Sequence, residues 1–244
     1  MILPLPSKEE ITKVYENDYL AQLHQPHAGV DLRIRFSKEY RPTVFAEYAL
    51  SLEDVQVKKN EIKSILDYGC ADGVFLEFCK EYFNPGTELC GTDLSKDLLD
   101  TARKGGWNVF PLEEIHNITT KFDLITLWDV IEHVESPVAV LQALMKMLAP
   151  KGKIFFQTPR AGLLGDLYGD KWPHLLPVQH IGLASKEGME KLAERLGFVI
   201  DKYCTFGANA PSSHVPQPYK RVFDQLAKKL EFGDVQILTL VRKN

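Results

Sequence analysis

A chain of 244 residues, 45% of them hydrophobic, is long enough to bury a sizeable core within one embellished domain. Its formal charge of −4 and pI near 6.0 argue against a general nucleic-acid binder and against a ligand for anionic membranes. Four cysteines without a Cys-x-x-Cys pairing read as reduced thiols of a cytoplasmic protein, and no apolar run is long enough to span a membrane.

The opening Met1-Ile-Leu-Pro-Leu-Pro lacks a basic n-region and a long apolar run, so no signal peptide is expected. Residues 7–23 predict an amphipathic helix: Ser7 as N-cap, Glu10 three residues on, and Ile11, Val14, Tyr15, Tyr19 and Leu20 along one face. With the rest of 1–60 it forms an N-terminal extension, either a lid over the site or an extra helix on the sheet. Arg33, Arg35, Lys38 and Arg41, interleaved with Phe36 and Tyr40, suit a phosphate or an RNA backbone. Asp31 and Glu39 interrupt them and the whole chain is acidic, which favours a solvated face. Val44, Phe45, Tyr48, Ala49, Leu52 and Val55 then follow a helical period.

Residues 63–93 carry the first chemistry. An apolar run ends in Asp67, small residues alternate at Gly69, Ala71 and Gly73, and the periodic run Val74, Phe75, Phe78, Cys79, Tyr82 follows. That is strand, tight turn and helix. Glu88-Leu-Cys-Gly-Thr is a second strand, and it ends in Asp93, where a carboxylate can accept both hydroxyls of a ribose. A dinucleotide fingerprint spaces its glycines G-x-G-x-x-G; here the small residues fall at i, i+2 and i+4. Asp67, two residues before the first glycine, would also repel a phosphate. A ligand with a cationic amino-acid end and a ribose fits better, and S-adenosylmethionine is such a ligand.

Asp67-x-Gly69-x-Ala71-x-Gly73 resembles motif I of the class I S-adenosylmethionine-dependent methyltransferases, and Asp93 stands where their motif II carboxylate stands. Ala71 departs from the glycine of that pattern, which implies tighter sterics beside the cofactor rather than lost binding.

Ser95 is the predicted N-cap of a helix carrying Leu98, Leu99 and Ala102 and closed by Gly105-Gly106. Trp107-Asn-Val-Phe110 is a third strand. In the family the following Pro111-Leu112-Glu113-Glu114 would lie along the adenine; Glu113 either accepts the adenine amino group or is an exposed turn carboxylate. Lys121 to Trp128 is a fourth strand, leading into Asp129-Val-Ile-Glu132-His133-Val. This block resembles motif IV, in particular of the branch that includes ubiquinone-biosynthesis O-methyltransferases. Pro137 opens a helix through Leu148, and Lys153-Ile-Phe-Phe-Gln-Thr is a fifth strand.

Residues 160–184 mix Leu163, Leu164, Leu167, Tyr168, Trp172, Leu175 and Leu176 with glycines, prolines, His174 and His180. So long an irregular connection at the carboxyl end of a strand suggests an apolar substrate wall or lid. Ser185 caps a helix ending at Gly197, Phe198–Tyr203 is a sixth strand, and a Gly/Pro/Ser/Asn-rich loop over 207–219 precedes a helix at 219–232. Residues 234–242 are a seventh strand.

The resemblance implies an α/β Rossmann-like, doubly wound sheet of seven strands, mostly parallel with an antiparallel last strand and helices on both faces. Residues 61–244 would form this core, with insertions at 160–184 and 207–233. It implies cofactor contacts from Asp67, Gly69, Cys70, Ala71, Gly73, Asp93, Leu94, Leu112, Glu113, Trp128 and Asp129, with S-adenosylhomocysteine as product. His133 is the first candidate general base, with a capping or orienting role as its alternative; His180 and His174 follow. Ligand spacing argues against a metal site. The expected activity is methylation of a partly apolar small-molecule acceptor, more often at oxygen than at nitrogen or carbon, with no nucleic-acid partner. An RNA or protein methyltransferase using the Arg33–Arg41 cluster, and a non-catalytic cofactor-binding module, are the alternatives. The sequence carries no signal for oligomeric state.

Overall fold

The computed structural model describes Ser7 and residues 37–176, 178–207 and 217–243. The predicted helix over 7–23 beyond Ser7, Arg33 and Arg35 of the basic cluster, and most of the 207–219 loop lie outside the described residues.

Seven strands form one sheet in the order β3-β2-β1-β4-β5-β7-β6. They are β1 (Ser64–Tyr68), β2 (Glu88–Asp93), β3 (Asn108–Pro111), β4 (Phe122–Trp128), β5 (Leu148–Pro159), β6 (Phe198–Phe206) and β7 (Val235–Arg242). β1 to β5 run parallel through helical crossovers, while β7 enters antiparallel between β5 and β6. This is the predicted architecture, and its order reverses at β1/β4, where ligands of open α/β sheets bind.

The helices are α1 (Arg41–Asp54), α2 (Val74–Tyr82), α3 (Lys96–Lys104), α4 (Pro137–Met147), α5 (Leu163–Tyr168), α6 (Lys186–Arg195) and α7 (Gln217–Leu230). Ser95, Ser136 and Ser185 each accept a hydrogen bond from a first-turn N–H, of Leu98, Ala139 and Gly188, satisfying donors that a helix start leaves open. No described helix is long and apolar enough to cross a membrane.

Alternation along the strands divides the core. Ile125 and Leu127 of β4 join Leu66, Leu141, Phe156 and Met189 on one face; Leu124 joins Ile65, Phe75, Phe78 and Phe155 on the other. α1 adds Leu52 and, just past its end, Val55 to the second face, and its Phe45 and Tyr48 rings pack edge-on against Phe78 and Phe75 at 5.5 and 5.0 Å. α1 therefore packs on the sheet, as the helical period over residues 44–55 predicts.

The start of β5 differs most from the sequence reading. β5 begins at Leu148 rather than Lys153, with a register shift between Phe122 and Leu124 opposite it. Pro150-Lys151-Gly152 is thus taken into the strand as an irregularity. A Cβ at Gly152 would lie 2.7 Å from the Phe122 carbonyl, so only glycine lets the two backbones come this close.

Candidate functional site

Parallel pairing of β1 with β2 sets Asp67 beside Gly91 and Tyr68 beside Thr92. The loop leaving β1 folds over the end of β2: Gly69 and Cys70 N–H groups both donate to the Thr92 carbonyl, at 2.8 and 3.0 Å. Asp93 then clamps the loop. Its Oδ2 accepts from the Ala71 N–H at 2.9 Å and its Oδ1 from the Ser95 N–H at 2.8 Å. Each oxygen retains acceptor capacity, so the clamp is compatible with two ribose hydroxyls. Burial raises the Asp93 carboxyl above its usual value, against the lowering effect of these N–H groups.

Gly69, Ala71 and Gly73 all adopt positive φ, +85°, +47° and +89°. The small residues are demanded first by the protein itself. A Cβ at Gly69 would lie 2.5 Å from Val130 Cγ2, and one at Gly73 would lie 2.6 Å from the Trp107 ring. Gly91 is a further requirement that no motif flagged, since its Cβ would meet Cys70 Sγ at 2.6 Å. The Cys70 side chain is buried in the α3 cluster with Leu99 and Val109, and burial pushes its thiol well up. Its backbone, not its sulfur, is what can serve a ligand.

Asp67 is 2% exposed and accepts a 2.7 Å hydrogen bond from Thr126 Oγ1 of β4. Burial pushes its carboxyl up to about 7, with Thr126 opposing and the charge of Asp93 adding. Asp72, in the same loop, has a buried Oδ1 without a hydrogen-bond partner among the described residues. Arg41 is bonded through Nη1 to Glu77 in the first turn of α2, and its Nε is buried without a partner among the described residues. Acidic and basic atoms left open around one loop suit the ammonium and carboxylate of an amino-acid ligand. The solvated-face reading of the basic cluster fails at Arg41, which α1 carries inward, and holds at exposed Lys38.

Trp128 and Asp129 close the other side. The Trp128 ring packs against Tyr48, Phe75 and Phe155 at 4.6, 5.0 and 4.4 Å, so much of it belongs to the aromatic core under α1 and α2. Asp129 is exposed at φ +52°, an uncommon conformation for a residue with a Cβ. Gln157 of β5 fixes it, accepting from its N–H at 2.9 Å and donating to its Oδ2 at 3.1 Å. Leu94 is 58% exposed. Leu112 is half-buried and Glu113 exposed, both on the turn that directly follows β3.

The three predicted histidines come together beyond β4. Glu132 is fully buried; its Oε2 accepts from Thr158 Oγ1 at 2.9 Å and its carbonyl from the Gly182 N–H at 3.0 Å. Burial and the nearby Asp129 raise its carboxyl well above the usual range. His133 Nδ1 lies 2.9 Å from the Gln179 carbonyl, and His180 Nδ1 lies 2.7 Å from the His174 carbonyl. A carbonyl only accepts, so Nδ1 is the protonated nitrogen in both. The His133 and His180 rings are 4.8 Å apart. Burial, with His180 adding, lowers His133 to about 4, and burial alone lowers His174 to about 4. Donor atoms of Glu132, His133 and His180 lie within 4.8 Å of one another, a set that could hold a divalent cation. These three residues are not at ligand spacing in the sequence; the fold brings them together.

The connection over 160–184 divides rather than forming one apolar wall. Leu164 and Trp172 are buried, whereas Leu163 and Leu167 are 62% and 71% exposed. Asp234, which faces His174 with its Oδ2 3.6 Å from Nε2, lay in no motif. A Gly-Asp pair just before an apolar strand was its only signal.

Comparison with known proteins agrees with this fold. A family described as a methyltransferase domain matches residues 38–203. The ubiquinone biosynthesis O-methyltransferase of Actinobacillus pleuropneumoniae serotype 7 is 32% identical over 124 residues, 45% of this chain and 52% of that protein. The protein of the same name from Hydrogenovibrio crunogenus is 30% identical over 112 residues, 42% and 45% of the two chains. The chain thus spans about half the length of the curated relatives it matches. Among solved structures, an SAM-dependent methyltransferase from Archaeoglobus fulgidus superposes with a TM-score of 0.57 at 23% identity, covering 91% and 98% of the two chains. The plantazolicin methyltransferase BpumL, in complex with a desmethylPZN analog and SAH, gives 0.59 at 16%, covering 97% and 98%.

Strand order, loop and carboxylates together give the fold and loop pattern of the class I S-adenosylmethionine-dependent methyltransferases. The family match covers well over half of the chain, and the chain belongs to that methyltransferase-domain family.

Proposed function

We propose that this chain transfers a methyl group from S-adenosylmethionine to a hydroxyl of a small-molecule acceptor. The observation that carries the reading is Asp93 at the end of β2, held by two backbone N–H groups with acceptor capacity left for a ribose. Asp67 and Asp72 take the cofactor's ammonium side and Arg41 its carboxylate. The backbone of residues 69–71 and 129 borders the methionyl chain, and Leu94, Leu112 and Glu113 flank the adenosine. The bound cofactor supplies an electrophilic methyl carbon on a sulfonium that leaves as a neutral thioether.

The protein's share is chiefly to hold the acceptor in line, which contributes about 7–11 kcal/mol; a general base adds roughly 10²–10⁴-fold. The names of the sequence relatives support an oxygen acceptor, and the acidic chain favours a small molecule over RNA. Calorimetric titration with S-adenosylmethionine, S-adenosylhomocysteine and NAD tests the cofactor assignment. Micromolar binding of the two sulfur ligands and none of NAD is expected; NAD binding alone would overturn it.

A further inference from the structure

Asp234 precedes β7 directly, and β7 starts with Val235 opposite Pro159 at the carboxyl end of β5. Its side chain is fully buried. Gly207 makes room for it, since a Cβ there would lie 2.5 Å from Asp234 Oδ1, and Gly233 lets the preceding backbone pass Phe206, whose carbonyl oxygen would lie 2.4 Å from a Cβ at that position. The chain after β5 folds back over this carboxylate and brings His174 Nε2 to 3.6 Å from Oδ2. The His174 side chain is 21% exposed while its Nε2 is buried, so the accessible part of the ring is the part turned from Asp234. Tyr168 of α5 lies in the field of the same carboxylate. The His174 carbonyl holds His180, whose ring reaches His133, so the pair adjoins the residues that follow β4.

The other two histidines are placed differently. His133 Nδ1 is committed to the Gln179 carbonyl, and its Nε2 is 4.0 Å from Glu132, a carboxyl that burial favours in its neutral form. His180 Nδ1 is committed to the His174 carbonyl.

We propose that Asp234 and His174 form a carboxylate–imidazole pair that receives the acceptor's proton. The inference rests on the methyl-transfer reading. Nε2–H faces Asp234, which leaves the Nδ1 lone pair for the acceptor. As the acceptor's O–H bond breaks, oxygen keeps the electron pair for its new bond to carbon, and the proton joins Nδ1. The resulting imidazolium faces the Asp234 carboxylate. His174 is the catalytic residue in this scheme and Asp234 its positioning residue.

Two measurements on the full chain test it. Ring-¹⁵N-labelled histidine spectra, with His174 assigned by His174→Gln, should show the Nε2–H tautomer. Asp234→Asn, which can offer an N–H to Nε2, should abolish that tautomer. An Nδ1–H tautomer in the native protein, or an unchanged signal in the variant, overturns the pairing. Methyl transfer to catechol and to 4-nitrocatechol, whose hydroxyl ionises near neutral pH, tests the base. Asp234→Asn should lower kcat for catechol by about 10²-fold and leave KM and the 4-nitrocatechol rate within a few-fold. Equal losses on both acceptors overturn the base role. If that variant does not fold, His174→Gln serves for the same comparison. Cofactor binding without transfer to either probe overturns both the proposal and the O-directed reading, while the tautomer result still reports separately on the pairing.

Discussion

At the scale of single residues, the two carboxylates of the cofactor loop make different demands. Asp93 is engaged by Ala71 and Ser95 before any ligand arrives, so Asp93→Ala removes a ribose partner and releases the loop at once. Lost charge-assisted hydrogen bonds of roughly 1.5–3 kcal/mol correspond to about ten- to a hundredfold weaker cofactor binding, measurable by calorimetry. Unchanged affinity would sink the ribose assignment. Asp67 is governed by burial, which raises its carboxyl from 3.8 to about 7. The native state then holds a proton that the unfolded chain has released, so stability falls as pH rises from about 4 to about 7. Thermal midpoints without cofactor should show native protein losing stability relative to Asp67→Asn across that window. Conversely, cofactor affinity should improve as pH rises through about 7, because only the ionised carboxylate pairs with an ammonium; a flat profile would remove Asp67 from the site.

At the scale of elements, the site depends on how closely the β1 loop lies on β2. Gly91 is a strand residue in an ordinary conformation whose missing Cβ leaves room for Cys70 Sγ. Gly91→Ala should therefore cost about 1–3 kcal/mol by overpacking and weaken cofactor binding, because the loop must lift to make room. Gly86→Ala is the contrasting change, since nothing lies within 4 Å of its Cβ and only its φ of +89° is strained. Denaturant titrations of both variants, each paired with a cofactor titration, check this. Equal cofactor affinity in the two would show that the Cys70–Gly91 contact does not position the loop. On the far side of the sheet, β7 performs a comparable service: its insertion beside β5 is what sets Asp234 against the 160–184 connection.

At the scale of the whole molecule, cofactor binding stabilises the folded chain and not the unfolded one. Ligand at a hundred times its Kd contributes about 2.7 kcal/mol. For a chain of 244 residues that corresponds to a rise in Tm of about 5–10 °C, at roughly 2–4 °C per kcal/mol. S-Adenosylhomocysteine should produce this shift in a thermal melt and NAD should not. A shift with NAD alone would point back to a dinucleotide enzyme.

Alternation along the strands, the serine caps at Ser95 and Ser185, and the spacing of Asp67, Gly69, Ala71, Gly73 and Asp93 are local patterns. They were legible in the sequence because strand, turn and helix periods are properties of adjacent residues, and they determined the fold class and the cofactor loop. What demands each glycine was not legible: Val130, Trp107 and Cys70 reach Gly69, Gly73 and Gly91 only after the strands have paired. Nor was the inward turn of Arg41, which α1 directs onto Glu77, or the division of the 160–184 connection into buried Trp172 and exposed Leu167. The convergence of Glu132, His133, His174, His180 and Asp234 belongs to the same class. These residues come from three separate stretches of chain, and only strand order and the antiparallel insertion of β7 bring them to one end of the sheet, where burial raises the Glu132 carboxyl and lowers the His133 and His174 imidazoles.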